Sequence, residues 1–187
     1  MADQGAEGLL SPWLRKRRLE AAKRHLRGRI LDFGCGSGSL AALVAPGDYL
    51  GVDVDETSLA LARSRYPRHR FVSKLPLPLE TFDSIVMLAV IEHVADPGEL
   101  LRVLSAHLVD GPASRIVVST PHPSLDWVHG LGASLGLFSR HANEEHEELL
   151  GPARLASIGA SAGLDIERYA RFLGGANQLV TFRRKSA

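Results

Sequence analysis

The sequence predicts an α/β fold in which a mostly parallel sheet carries helices on both faces. Apolar runs rich in β-branched residues alternate with helical stretches along the chain, which is the pattern of a parallel sheet covered on both sides. The first of these runs passes directly into three alternating glycines, Gly34, Gly36 and Gly38. An apolar run that ends in such glycines is typical of a buried strand followed by a ligand-binding turn.

Seven short apolar runs are the predicted strands. Each is bounded by turn residues, and the last two follow each other without a helix between them. In chain order, the strands are expected at residues 30–34, 49–53, 70–73, 82–88, 115–119, 165–172 and 177–183.

Helix start signals separate these strands. Ser11-Pro12, the stretch from Thr57 to Ala60, and Asp96-Pro97 each combine a capping side chain or a proline with a helical pattern. Gly163 suits the C-terminal end of the last helix. The helices are expected at residues 12–27, 38–45, 57–65, 97–108 and 152–162.

Length and composition indicate one domain, residues 1–187. The chain has 187 residues, of which 45% are hydrophobic, enough for one buried core and too few for two ordinary domains. The formal net charge of +1 argues against attraction of the whole molecule to nucleic acid. No stretch approaches the ~18 apolar residues of a membrane span, and the first residues lack the apolar core of a signal peptide. Cys35, the only cysteine, suits a reducing compartment, so a cytoplasmic protein is expected.

The glycine turn predicts a site for a nucleotide-like cofactor. Glycines leave no side chain between the backbone and a ligand, and the helix that follows, from Leu40 to Ala45, would aim its free N–H groups at the same point. The dinucleotide fingerprint requires a third glycine where this chain has Ser39. Asp53 closes the second apolar run about 20 residues downstream, where an acidic side chain can accept both ribose hydroxyl groups. The alternative is a tight turn without a ligand and an ordinary surface aspartate.

Two motifs resemble a known family. Asp32-x-Gly34-x-Gly36-x-Gly38 together with Asp53 resembles the class I S-adenosylmethionine-dependent methyltransferases. The segment from Phe82-Asp83 to Glu92-His93-Val94 is similar to the ubiquinone-biosynthesis type O-methyltransferase subgroup, in which Phe-Asp opens the fourth strand and Glu-His-Val follows it. The resemblance covers about residues 28–183. It implies a Rossmann-like, seven-stranded, mostly parallel sheet whose last strand is antiparallel.

The resemblance also implies the cofactor, S-adenosylmethionine, and its product, S-adenosylhomocysteine. Asp53 would hold the ribose, and Asp32 would hold the turn and the amino group of the cofactor. Cys35 lies inside the glycine turn and is interpreted as a small packing residue rather than a nucleophile. Relatives often bind the adenine amine with an aspartate after the third strand, whereas this chain has Ser73 there. The implied cofactor-binding residues are Asp32, Gly34, Cys35, Gly36, Gly38, Asp53, Val54, Ser73, Leu75 and Leu88.

Two histidines are the candidate catalytic residues. An unperturbed histidine titrates near neutral pH and can act as a general base. The resemblance implies that His93 faces the substrate pocket and that His146 is the loop histidine ahead of the last large helix. The alternative for His93 is a helix-start histidine that only packs. Residues 124–151 form a connection longer than about 15 residues and are expected to cover the substrate.

The same residues could also belong to a metal site. Small-RNA 2′-O-methyltransferases of this fold use a Glu-x-x-Glu-His group and downstream histidines. Glu92, His93 and His146 fit that pattern, but Ala89 occupies the first glutamate position. The missing carboxylate disfavours both a metal and an RNA substrate, and no metal ligand is assigned.

The N-terminal segment, residues 1–28, is expected to contain a basic helix. Between Trp13 and Arg29 the chain carries eight Lys and Arg residues against Glu20 alone, a local charge of 8 − 1 = +7. This charge could bind phosphate or an anionic surface. The favoured interpretation is an amphipathic helix docked on the sheet with its cations in water. Its apolar stripe would consist of Trp13, Leu14, Leu19, Ala22 and Leu26.

The expected function is methyl transfer from S-adenosylmethionine to an oxygen atom of a small-molecule acceptor, with nitrogen as the less favoured target. Two alternatives stay open. A nucleic-acid methyltransferase, such as an RNA 2′-O-methyltransferase, would use the basic helix to bind its substrate. A non-catalytic protein would bind S-adenosylmethionine without a base near the methyl group. Oligomeric state is not predicted.

Overall fold

The structure is a computed structural model that describes residues 11–123 and 150–185. Its strands form one seven-stranded sheet. In chain order the strands are β1 (Ile30–Phe33), β2 (Tyr49–Val52), β3 (Arg70–Val72), β4 (Ser84–Leu88), β5 (Arg115–Pro121), β6 (Leu164–Phe172) and β7 (Asn177–Arg184).

The order of strands across the sheet is β3-β2-β1-β4-β5-β7-β6. Strands β1 to β5 pair in parallel, and β7 inserts antiparallel between β5 and β6. The predicted sheet, including the antiparallel last strand, is therefore confirmed. Its order reverses beside β1, because the chain moves outward through β2 and β3 and then returns to β4. Ligands of open α/β sheets bind at such a reversal, outside the carboxyl ends of the strands.

Four α-helices lie among the described residues: α1 (Ser11–Lys23), α2 (Glu56–Arg65), α3 (Pro97–Ser105) and α4 (Pro152–Ser161). The predicted start of α3 is confirmed, since the Asp96 side chain accepts a hydrogen bond from the Glu99 N–H group. Helix α2 starts one residue earlier than expected, because Asp55 caps it by accepting from the N–H groups of Thr57 and Ser58.

The helix predicted at residues 38–45 is wrong. The structure has a short 3₁₀ helix there, Ser39–Leu43, followed by another, Pro46–Asp48. Proline disfavours the helical conformation of the residue before it, and β2 begins at Tyr49, so no room remains for a regular α-helix. A third 3₁₀ helix, Ile91–His93, follows β4.

Two hydrophobic clusters cover the two faces of the sheet. Buried side chains of α1 and α2 pack on one face, where Ala22, Leu59 and Ala62 have no solvent exposure. Side chains of α3 and α4 pack on the other face with the strand residues between them. The prediction of helices on both faces is confirmed. The buried side chains of α3 and α4 in the second cluster are Leu101, Leu104, Leu155 and Ile158.

Helix α1 docks on the sheet as the favoured interpretation expects. Ala22 is fully buried and Leu19 packs partly buried against the same cluster. The helix ends at Lys23 rather than at residue 27. Trp13 departs from the predicted apolar stripe, because half of its surface is exposed. Within the described parts of the chain, no helix is long and apolar enough to cross a membrane.

Three cations of α1, Lys16, Arg17 and Lys23, are exposed, as is Arg24 just after the helix. Arg18 instead donates from Nε to the Asn177 Oδ1 atom at 3.0 Å, across a separation of 159 residues in sequence. The prediction that the basic face is solvated is therefore wrong for Arg18.

Candidate functional site

A cavity of about 780 Å³ opens at the carboxyl end of β1, between α1, the glycine turn and the start of α2. This volume lies in the range of small-molecule binding sites. Five of the predicted cofactor-binding residues line it. The full lining is Arg15, Leu19, Asp32, Gly34, Cys35, Gly36, Ser37, Ser39, Leu40, Asp55, Thr57, Ser58, Leu61, Arg65 and Leu88.

The glycine turn needs its glycines for two different reasons. Gly34 has a φ of 75°, and a Cβ atom there would lie 2.4 Å from Cγ2 of Val90. Gly36 has a φ of 50°, but no atom of the described residues lies within 4 Å of its Cβ position. The backbone at Gly36 therefore faces open space in the cavity wall, where a ligand can approach the main chain directly.

Asp53 fixes the glycine turn from the next strand. Its Oδ2 atom accepts a hydrogen bond from the Gly36 N–H group at 2.7 Å, and its Oδ1 atom accepts from the Asp55 N–H group at 3.0 Å. Each carboxylate oxygen can accept a further hydrogen bond. Asp53 can therefore position the turn and still accept from a ligand hydroxyl group.

Asp32 is a buried acid in the cavity wall. The residue is only 3% exposed, and its Oδ2 atom accepts a hydrogen bond from the Tyr49 hydroxyl group at 2.7 Å. Burial raises the pKa of Asp32 to about 7, the hydrogen bond from Tyr49 opposes the rise, and the negative charge of Asp53 adds to it. A cation that binds beside such a carboxyl group stabilises its ionised form and lowers its pKa.

Cys35 is part of the cavity wall, and its thiol has low reactivity. Its thiol is buried, and burial raises its pKa far above the ordinary value, with further contributions from the charges of Asp32 and Asp53. A thiol whose pKa is raised in this way is a poor nucleophile. The prediction that Cys35 acts in packing is consistent with its contact at Gly51, where an added Cβ atom would lie 2.9 Å from Sγ.

Five predicted cofactor residues lie outside the described cavity wall: Asp53, which holds the glycine turn as described above, and four others. Val54 is 88% exposed. The Ser73 hydroxyl group hydrogen-bonds to the Glu56 side chain. Arg63 lowers the pKa of the Glu56 carboxyl group most, and the hydrogen bond with Ser73 lowers it further. Leu75 packs partly buried against the core. Gly38 has the ring of Phe71 3.0 Å from its Cβ position, so its place in the turn is set by packing.

The two candidate catalytic histidines are placed differently. His93 is exposed in the 3₁₀ helix Ile91–His93, which follows the carboxyl end of β4. His146 lies outside the described residues, as do residues 124–149 of the covering loop predicted at residues 124–151. The role of either histidine thus remains a prediction.

A buried polar cluster lies beside His93, at the carboxyl ends of β4 and β5. Glu92 is 6% exposed, and its Oε2 atom has no hydrogen-bond partner among the described residues. Burial raises the pKa of Glu92, while its own backbone N–H group, then Thr120, and then the charges of His93 and Arg18 oppose the rise. The buried Ser119 hydroxyl group at the end of β5 also lacks a partner in the described part of the chain. Both atoms are buried within the described structure.

The sequence analysis missed several of these residues. Asp55, Thr57 and Ser58 bring the first turn of α2 into the cavity wall, and the Asp-x-Thr-Ser spacing of a helix start was the available signal. Arg15 enters the wall from α1, although the sequence placed it only within a basic surface.

Metal coordination finds no support in the described parts of the chain. No group of three His, Cys, Asp or Glu side chains there could hold a metal ion. The metal alternative included His146, however, and that residue lies outside the described ranges.

The parallel sheet, the glycine turn and the acid after β2 define a protein that binds a nucleotide-like cofactor at the point where the strand order reverses. A family model described as a methyltransferase domain matches residues 7–169. The chain belongs to this family of S-adenosylmethionine-dependent methyltransferases. The resemblance drawn from the glycine motif and the Phe-Asp to Glu-His-Val segment is confirmed.

Named relatives agree with this assignment. The chain is 33% identical over 144 residues to a probable S-adenosylmethionine-dependent methyltransferase of Mycolicibacterium smegmatis, covering 74% of this chain and 52% of the relative. It is 28% identical over 154 residues to the ubiquinone biosynthesis O-methyltransferase of Aeromonas salmonicida, covering 73% and 62%. The chain thus spans about half to three-fifths of the length of these relatives.

A solved structure shares the fold. The magnesium protoporphyrin IX methyltransferase of Synechocystis, solved with bound S-adenosylhomocysteine, superposes with a TM-score of 0.62 at 19% identity, covering 93% of this chain and 83% of that one. At this identity the similarity shows the fold alone.

Proposed function

We propose that this protein is an S-adenosylmethionine-dependent methyltransferase that methylates an oxygen atom of a small molecule. The observation that carries the proposal is the cavity wall, which combines an open glycine turn with a buried acid, Asp32, and a cation, Arg15. The amino-acid end of S-adenosylmethionine bears an ammonium and a carboxylate group. The wall offers acids, Asp32 and Asp55, for the first and cations, Arg15 and Arg65, for the second.

The residues present fit the cofactor. Backbone groups of Gly34 and Gly36 would lie along its methionyl and ribose parts, because both residues line the cavity and the Cβ position of Gly36 has no described atom within 4 Å. Asp53 would accept hydrogen bonds from the ribose hydroxyl groups. Its carboxylate oxygens each have a lone pair left after they accept from the N–H groups of Gly36 and Asp55. Leu88, at the end of β4, would contact the methionine part.

The cofactor, when bound, supplies a methyl group on a sulfonium that carries its own leaving group, so the chain needs mainly to align the acceptor. His93 or His146 would accept the proton of the acceptor hydroxyl group as general base. Oxygen is favoured as the target because the resemblance to an O-methyltransferase subgroup extends through the Glu92-His93-Val94 segment.

The test is calorimetric titration of the full chain with S-adenosylmethionine and S-adenosylhomocysteine. Asp53→Ala should weaken both ligands at least tenfold, because it removes the ribose acceptor and releases the Gly36 N–H group. Asp165→Ala, an exposed acid on β6, is the matched control and should bind like the parent. Binding of neither ligand to the parent would refute the proposal.

The acceptor is tested by following labelled methyl groups. With methyl-labelled S-adenosylmethionine and a fractionated cell extract, label should enter the small-molecule fraction as alkali-stable ethers. Label in RNA would instead favour the nucleic-acid alternative. Cofactor binding without label in any fraction would favour the non-catalytic alternative.

A further inference from the structure

Tyr49 holds Asp32 from behind the cavity wall. Tyr49 begins β2, in register with Ile30 of β1, and is 4% exposed. Its hydroxyl group donates to Oδ2 of Asp32 at 2.7 Å. The ring of Tyr49 meets the rings of His69 and Phe71 edge-on, with centroids 5.5 and 5.6 Å away. These contacts fix the ring, and therefore also the position from which the hydroxyl group donates.

This hydrogen bond is the one that orients the Asp32 carboxyl group within the described chain. The nearest N–H groups of the glycine turn are used elsewhere, since Gly34 and Cys35 both donate to the Val52 carbonyl oxygen, at 2.8 and 3.1 Å. With Oδ2 bound to Tyr49, the Oδ1 atom of Asp32 has no hydrogen-bond partner among the described residues. Because Asp32 lines the cavity, this oxygen is the one available to a ligand.

We propose that Tyr49 is a positioning residue for S-adenosylmethionine: its hydroxyl group holds the Asp32 carboxylate so that the second oxygen receives the α-ammonium group of the cofactor. The inference rests on the proposed function, in which Asp32 binds that ammonium group. Tyr49 itself never touches the cofactor. It acts through Asp32, by fixing the orientation of the carboxylate and by favouring its charged form.

The charges around Asp32 give this role a measurable signature. The groups that face it are the Tyr49 hydroxyl, the Asp53 carboxylate and the buried Cys35 thiol, and Arg15 lines the same cavity. The pKa of Asp32 is about 7, so the empty site is partly protonated at neutral pH. An arriving ammonium group favours the ionised form, and the displaced proton leaves to the buffer. Loss of the Tyr49 hydroxyl raises the pKa of Asp32 further.

The experiment is calorimetry of the full chain in buffers of different ionisation enthalpy, between about pH 6 and pH 8. The parent should release close to one proton per S-adenosylmethionine near pH 6 and much less near pH 8. In Tyr49→Phe the affinity near pH 7 should fall about fivefold and the proton release should persist to higher pH, as expected when one charge-assisted hydrogen bond is lost. Tyr66→Phe is the matched control, since Tyr66 belongs to the same aromatic group but does not bond Asp32.

A second ligand separates orientation from packing. 5′-Methylthioadenosine lacks the ammonium group, so its binding should release no proton and should not distinguish Tyr49→Phe from the parent. Equal loss of both ligands at every pH would overturn the inference, because it would assign Tyr49 a packing role alone. Unchanged proton release in Tyr49→Phe would also overturn it. If the parent bound S-adenosylmethionine at no pH, the proposed function itself would fall, which is a distinct result.

Discussion

Replacement of Asp32 by asparagine should stabilise the protein at neutral and alkaline pH while weakening its binding of S-adenosylmethionine. The Asp32 side chain is buried, and its pKa rises from 3.8 to about 7 on folding. Asparagine has nearly the same shape, carries no charge, and keeps an oxygen that accepts from Tyr49. The variant therefore removes the cost of a buried charge but also the carboxylate that the ammonium group would meet.

The magnitude follows from the two pKa values. At about 1.4 kcal/mol per pH unit, the difference between 3.8 and about 7 corresponds to a cost on the order of 4 kcal/mol at pH 8. Between these values the unfolded chain has lost the proton that the folded chain keeps. The free energy of unfolding therefore falls as pH rises from about 4 to about 7, and the cost is absent below about pH 4.

Urea unfolding followed by circular dichroism measures this difference. Asp32→Asn should exceed the parent by about 2 kcal/mol near pH 5 and by about 4 kcal/mol near pH 8. Asp165→Asn, which changes an exposed acid, should stay within about 0.5 kcal/mol of the parent at both values. A variant that is less stable than the parent at pH 8, or one whose advantage does not grow with pH, would show that burial does not set the charge of Asp32.

Three further predictions concern the turn, the first helix and the acceptor side. Gly34→Ala should lower the free energy of unfolding by at least about 2 kcal/mol, because the new Cβ atom would lie 2.4 Å from a valine methyl group. Gly36→Ala, with open space at that position, should lower it by about 1 kcal/mol but weaken cofactor binding more strongly than Gly34→Ala does. Urea titration measures the change in stability, and calorimetry measures the change in binding. Arg18→Met should destabilise by about 1 to 3 kcal/mol through its lost hydrogen bond to a buried amide, and Arg17→Met, which breaks an exposed ion pair, by less than about 0.5 kcal/mol; equal effects would show that the inward position of Arg18 does not matter. His93→Gln should lower kcat about 10²-fold or more and leave the affinity for S-adenosylmethionine, measured by calorimetry, unchanged. A kcat equal to that of the parent would show that another residue is the general base.

Local patterns were sufficient to predict the sheet. Each strand of a covered parallel sheet is buried on both faces, so its apolar run is visible in the sequence without knowledge of its neighbours. The strand ends were less accurate: β4 begins at Ser84 rather than at residue 82, because Asp83 turns back to accept from the Arg29 N–H group at 2.8 Å. The helix after the glycine turn was wrong because a nearby proline and the start of β2 shortened it.

Long-range partners were beyond a sequence reading. The hydrogen bond from Arg18 to Asn177 depends on how α1 crosses the carboxyl end of the sheet, and nothing in the basic segment singles out this arginine from its neighbours. The pairing of Tyr49 with Asp32 depends on the register that sets Ile30 beside Tyr49. Glycine spacing, by contrast, is a local requirement of the backbone, which is why the motif at residues 32–38 identified the cavity wall.

The two buried acids, Asp32 and Glu92, lie on the cofactor side and the acceptor side, so kcat/KM and kcat should depend on pH in different ways. Asp32 belongs to the cofactor side, and its pKa of about 7 is a property of the empty site. Since kcat/KM reports groups of the free enzyme and free substrate, kcat/KM for S-adenosylmethionine should rise through about pH 7 as Asp32 ionises, and fall again above about pH 8 as the cofactor loses its ammonium proton. The value of kcat reports the bound state, in which Asp32 is already ionised, so the rise near pH 7 should be weaker there. If kcat rose through pH 7 as steeply as kcat/KM, the titrating group would instead lie on the acceptor side, where the proposed general base acts and where burial raises the pKa of Glu92.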